Sequence, residues 1–180
     1  MGGRLALRFA LDHPRRVRGL VLESASPGIA DASARAARRE ADTALADRME
    51  REGLAAFVET WMAHPLFETQ KSLPSAVRER ERARRMRHHA GWLAAALRGM
   101  GPGAMVPLWD RLPALGAPAL LLAGERDAKY RDIAAKAAAR IPRARIVVVP
   151  GAGHTTHLEN PEAFTAAVEA FLIELQGETR

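Results

Sequence analysis

Two residues of this sequence stand where a proton-transfer pair could be built, each at the far end of a short apolar run. Asp127 closes the stretch Gly124-Glu125-Arg126-Asp127, directly behind residues 119–123 (ALLLA). His154 closes Gly151-Ala152-Gly153-His154, soon after residues 145–149 (RIVVV). In open parallel sheets, ligands and reactive groups collect at the carboxyl ends of the strands. An aspartate there can orient a histidine, and a histidine in a glycine-rich loop can point into a cleft. Taken singly, each has a plain structural alternative: a helix-capping aspartate and a surface histidine. Taken together, the order strand–acid, helix, strand–histidine, final helix matches the last two members of a triad whose serine comes earlier in the chain.

The elements that must position this pair follow from apolar spacing and its breaks. A helix is expected over residues 4–11, stopping near His13-Pro14 because proline restricts the residue before it. Residues 17–23 (VRGLVLE), 119–123 and 145–149 read as buried strands. Residues 24–28 (SASPG) are a turn. Helices are expected over residues 131–140 and 161–175, the latter with Phe164, Val168, Phe171 and Leu172 on its apolar side. Between residues 30 and 99 the chain is rich in Ala, Arg and Glu and shows only helical periodicity. Its breaks fall at Gly53, His64-Pro65, Pro74 and Gly91, with helices around 54–62 and 93–97. Fully apolar strands alternating with helices imply an α/β fold, a parallel sheet with helices on both faces. The helical block is too long for a crossover and reads as a cap insertion. The expected organisation is a partial core over 1–29, a helical cap over 30–100 and the closing core strands and helices over 101–180.

Composition bounds the function. The 180 residues are 48% hydrophobic and 27% charged, enough for one packed core. Cysteine is absent, which removes disulfides, thiolate metal sites and a cysteine nucleophile. The net charge of +6 invites a nucleic-acid reading, but the arginines are spread through helices rather than set beside stacking aromatics. No apolar run approaches a membrane span, and no signal-peptide pattern opens the chain. His157 lies close to His154, yet nothing at useful spacing completes a metal site.

The first residues, Met1-Gly2-Gly3-Arg4, run straight into a helix. A nucleophile elbow, G-x-S-x-G, is a sharp turn from strand to helix. With a Gly-x-Ser ahead of Met1, Met1 would follow the nucleophile and Gly2 would be the second elbow glycine. The alternative is that these residues are simply a start. The segments MGGRLAL (1–7), HPRRVRGLVLESASPG (13–28), GERDAKY (124–130) and GAGHTTHLENPEAF (151–164) resemble the 2-succinyl-6-hydroxy-2,4-cyclohexadiene-1-carboxylate synthases of menaquinone biosynthesis. These are lyases of α/β-hydrolase fold, and the resemblance runs over essentially all of the chain but only the later part of a full-length member. It implies an N-terminally truncated enzyme, without its serine and early strands, inactive as given and with an exposed apolar sheet edge.

The resemblance also implies roles. Asp127 and His154 would be the triad acid and base in an elimination of pyruvate, with the serine abstracting a proton. The backbone N–H of Met1 would be one oxyanion donor. Arg4 and Arg38, and less firmly Arg35, would hold substrate carboxylates, with Trp61 and Phe67 lining the cavity. Planar, permanently charged guanidiniums suit a substrate with several carboxylates. Against this, Arg35, Arg38 and Arg39 also fit a solvated helix face, and Trp61 and Phe67 fit packing inside the cap. Arg84–Arg87 with His88 and His89 read as a charged exterior. The expected partner is a small-molecule carboxylate, with no cofactor, metal, nucleic acid or membrane, for a cytoplasmic protein that is monomeric at full length. Two competitors remain: another α/β-hydrolase activity (carboxylesterase or C–C bond hydrolase), and a non-catalytic fragment that binds an anion.

Overall fold

A computed structural model describes residues 1–177; the last three positions of the expected 101–180 segment lie outside the described residues. In chain order the elements are α1 (Gly2–Asp12), β1 (Leu20–Glu23), α2 (Ala32–Met62), α3 (Ser75–Arg85), α4 (Ala90–Met100), β2 (Ala119–Gly124), α5 (Ala128–Ala138), β3 (Ala144–Val149), α6 (Thr156–Glu159) and α7 (Pro161–Gly177). Short 3-10 turns occupy Pro14–Arg16, Pro65–Ser72 and Trp109–Ala114. The chain divides into two compact units. One holds Gly28–Pro107, with Met1; the other holds Gly2–Pro27 and the described residues from Leu108 onward.

The second unit contains the sheet, whose strands run parallel in the order β1-β2-β3. All six residues of β2 are buried, as a central strand covered on both faces requires. Successive side chains point to opposite faces. Ala119, Leu121 and Ala123 therefore join Leu7 and Ala10 of α1 and Ala134 and Ala137 of α5. Leu120 and Leu122 join Val149 and, from α7, Ala167 and Phe171. Each fully buried leucine here stabilises the fold by about 1.5–3 kcal/mol relative to exposure. Beyond β1 there is no further strand among the described residues. An open groove of about 880 Å³ lies there, lined by Leu5, Phe9, Val17, Leu20, Leu172 and Leu175 among others.

Several boundaries differ from expectation, and Gly91, expected as a break, lies inside α4. β1 begins at Leu20 rather than Val17, because Pro14–Arg16 form a 3-10 turn closed by the Val17 N–H, which donates to the Pro14 carbonyl. α5 begins at Ala128, three residues early, because Asp127 caps it. The four-residue α6 carries no periodic signal and was not expected.

The other unit is helical. α2 departs from helical geometry at Gly53, where φ is +84°, a left-handed conformation that glycine adopts without steric cost. Ala46 and Met49 of α2 pack with Ala94 of α4, and Arg98 of α4 bridges to Asp47 and Glu50 of α2. No helix among the described residues is long and apolar enough to cross a membrane.

Candidate active site

The site is built on the turn that follows β2. Gly124 ends the strand against the loop after β3, so closely that a Cβ there would overlap the Ala152 and Gly153 carbonyl oxygens. Two backbone bonds join the turn to that loop, Glu125 N–H to Val149 O (3.0 Å) and Arg126 N–H to Ala152 O (2.9 Å). The Glu125 carboxylate also accepts the Gly151 N–H at 2.7 Å. These contacts fix where the two strand-end loops meet.

Asp127 and His154 meet there. The Asp127 carboxylate, 8% exposed, divides its oxygens between two partners. Oδ1 accepts the Tyr130 N–H at 3.2 Å and so caps α5. Oδ2 lies 2.7 Å from His154 Nδ1. Asp127 thus both caps α5 and contacts His154, with one oxygen for each. An ionised carboxylate can only accept, so Nδ1 carries the hydrogen and proton acceptance falls to Nε2. The imidazole is largely buried, and the Tyr130 ring stands edge-on to it with centroids 4.5 Å apart.

Carboxylates hold the histidine loop from three sides. Besides Glu125, Glu159 accepts the N–H groups of Gly153 (2.7 Å) and Thr155 (3.1 Å), the residues on either side of His154. Glu23, at the end of β1, accepts from the Thr156 hydroxyl (2.7 Å) and the His157 N–H (2.9 Å). His157 Nδ1 also lies 2.8 Å from Glu23 Oε2, so this histidine is spent on an anchor. Burial pushes the Glu23 carboxyl upward, but the hydrogen bonds from His157 and Thr156 outweigh it and hold the group below the usual glutamate range. Among the described residues no group of three His, Cys, Asp or Glu is arranged to hold a metal.

Arg4 belongs to the same unit. It is buried in the first turns of α1, and its Nε donates to the Ser26 carbonyl at 3.2 Å. Met1 precedes α1 and is half-exposed.

The remaining expected residues lie in the helical unit. Arg38 donates from Nε to Asp42 Oδ1 at 2.7 Å. Asp42 is almost fully buried, and its other oxygen accepts the Gly103 N–H at 3.1 Å. The two terminal nitrogens of Arg38 make no hydrogen bond among the described residues. Arg35 instead spends its Nη1 on the Ile29 and Ala30 carbonyls, at 2.9 and 3.1 Å. Trp61 and Phe67 face each other with centroids 5.5 Å apart, flanked by Phe57 and His64; Phe67 is buried and Trp61 is half-buried. Arg84, Arg87, His88 and His89 are exposed as expected, but Arg85 turns inward onto buried Glu81.

Sequence reasoning missed Glu23, Glu159, Asp42 and the Tyr130 ring as parts of these arrangements. A usable signal existed for Asp42, which lies four residues after Arg38 and so one helical turn away.

Comparison with known proteins supports the fold. The profile of the alpha/beta hydrolase family matches residues 1–167. A Bacillus subtilis protein provisionally named 2-succinyl-6-hydroxy-2,4-cyclohexadiene-1-carboxylate synthase is 44% identical over 172 residues, covering 96% of this chain and 63% of its own length. The synthase of that name from Klebsiella pneumoniae is 39% identical, with 96% and 65% covered. Among solved structures, MenH from S. aureus superposes with a TM-score of 0.94 at 37% identity, over 97% of this chain and 65% of its own. A malate-bound thermophilic esterase from Thermogutta terrifontis gives a TM-score of 0.81 at 30% identity, over 97% and 62%. The chain thus spans a little under two thirds of the proteins it matches.

Proposed function

The chain belongs to the alpha/beta hydrolase family, and from that premise we propose that Asp127 and His154 are the acid and base of a catalytic triad in a synthase of the 2-succinyl-6-hydroxy-2,4-cyclohexadiene-1-carboxylate type. The 2.7 Å approach of His154 Nδ1 to Asp127 carries this reading. Asp127 fixes the ring tautomer and stabilises the imidazolium, and His154 Nε2 takes the proton of a serine. That serine then abstracts a substrate proton, and pyruvate leaves. Two oxyanion donors complete the site in this fold, of which the Met1 N–H is one. Arg4 and Arg38 grip substrate carboxylates, and Arg38 is the better supported of the cap pair because both its terminal nitrogens remain to be used. Arg35 contributes less, being tied to its own helix entrance. Trp61 and Phe67 give the apolar wall.

None of the serines of the 180 residues stands in a Gly-x-Ser-x-Gly setting, so this polypeptide by itself is expected to release no pyruvate. The test is a fusion of the 180 residues to the segment of the Klebsiella pneumoniae synthase that this chain does not cover. Pyruvate release from the menaquinone precursor, followed with a coupled dehydrogenase, supports the proposal, provided His154→Ala abolishes it. The likeness to the Thermogutta terrifontis esterase favours a second reading, an ester hydrolase. Turnover of p-nitrophenyl esters without pyruvate release would establish that reading instead.

A further inference from the structure

We propose that Glu159 is the positioning residue for His154, acting through the backbone on either side of it. This inference rests on the reading of His154 as the catalytic base and adds a residue to that site. Glu159 is the last residue of α6, and its carboxylate folds back over the start of the same helix. Its Oε2 takes the Gly153 N–H at 2.7 Å and its Oε1 takes the Thr155 N–H at 3.1 Å. The two amides flank His154, so one carboxylate fixes the chain on entering and on leaving the residue. With the backbone held, only the side-chain torsions of His154 remain, and the 2.7 Å bond to Asp127 Oδ2 sets those.

The neighbouring anchors do not duplicate it. Glu125 holds Gly151, three residues ahead of His154. Glu23 holds Thr156 and His157, behind it. Asn160 bonds the Pro150 carbonyl and caps α7 with its other amide atom. None of these accepts the Gly153 or Thr155 N–H, although the carbonyl of the Ala152–Gly153 peptide is also held, by the Arg126 N–H at 2.9 Å. The charge also matters, because a carboxylate offers acceptors on both oxygens and a carboxamide offers one.

The test uses the 180-residue chain and Glu159→Gln, which keeps one acceptor and turns an N–H toward the second amide. The readouts are amide hydrogen exchange by NMR and the resonance of the His154 Nδ1–H that is bonded to Asp127. Exchange at Gly153, at Thr155 or at both is expected to accelerate about tenfold or more, while β2 amides and the Gly151 amide stay unchanged. The Nδ1–H resonance is expected to broaden as the ring loses its fixed placement. Glu159→Asp, which keeps the charge but falls short of the amides by a methylene, is expected to give the same pattern in milder form. Unchanged exchange at both amides in Glu159→Gln, or an unchanged Nδ1–H resonance, would overturn the proposal. A rise spread evenly over β2 and β3 would also overturn it, by showing a merely structural role. Asp127→Asn separates the two claims. If it removes the Nδ1–H signal while Glu159→Gln leaves it intact, the triad reading survives and the positioning role fails.

Discussion

Asp127→Asn is a sharp perturbation because the two oxygens of this carboxylate do separate work. Asparagine caps a helix as well as aspartate, so its carbonyl can keep the Tyr130 N–H and leave α5 intact. At the other position it presents an NH₂ group to His154 Nδ1, where an acceptor stood at 2.7 Å. The ring must then take the other tautomer, with the hydrogen on Nε2. A charge-assisted bond of about 1.5–3 kcal/mol is replaced by a neutral one of about 1 kcal/mol, for a net cost of about 1–2 kcal/mol. Asp127→Ala loses both contacts. It adds about 1 kcal/mol for the missing cap and leaves a largely buried ring N–H unpaired, so the total is about 2–4 kcal/mol. Urea titration followed through the Trp109 indole signal reports on the unit that holds the pair. A double-mutant cycle with His154→Ala isolates the contact, with a coupling of about 1–2 kcal/mol expected. Equal costs for Asn and Ala, or no coupling to His154, would refute the division of labour. In the fused enzyme, Asp127→Asn is expected to lower kcat far more than it raises KM, since the wrong tautomer cannot accept the serine proton.

Other expectations follow from single contacts. Gly124→Ala places a methyl group against two backbone carbonyl oxygens; backbone shifts of this kind cost about 1–3 kcal/mol, read as a lower Tm, with the Asp127–His154 bond disturbed in NMR spectra. Arg38→Lys removes the fork while keeping the charge. In the fused enzyme it is expected to raise KM about tenfold, and an unchanged KM would remove Arg38 from the substrate site. Glu23→Gln tests pH dependence. The folded carboxyl lies below its ordinary value, so its stabilisation is complete above the ordinary glutamate range and is lost as pH falls through the folded value. Urea titrations from about pH 6 to about pH 3 should show a shallower acid loss in the variant than in the parent chain; parallel curves would contradict this.

The pair at the centre of the site was legible because strand ends and residue order carry it. Apolar β2 and β3 are unmistakable, and a parallel sheet presents whatever follows its strands on one edge. The start of β1 was not legible, because Val17 and Arg18 look like strand residues until the proline-led 3-10 turn uses the Val17 N–H. Arg85 was hidden within an arginine run. Only its spacing from Glu81, one helical turn away, separates it from its exposed neighbours, and that spacing also gives Arg84 a bond to Glu81. Glu23 and Glu159 escaped for another reason. Both act by accepting backbone N–H groups, and such bonds leave no periodicity in the chain.

The register of the sheet sets an order of assembly. β1 pairs with β2 across the whole helical unit, Leu20 beside Ala119, whereas β2 pairs with β3 across α5 alone, Ala119 beside Ala144. The first loop is roughly four times longer, and closing it costs about 1 kcal/mol more in chain entropy. Local pairings form faster than distant ones, so β2, α5 and β3 are expected to come together first. Asp127 lies within this stretch, and His154 and Glu159 lie within ten residues of its end. The contact between Asp127 and His154 can thus be in place while β1, with its Glu23 anchor, is still searching for its neighbour.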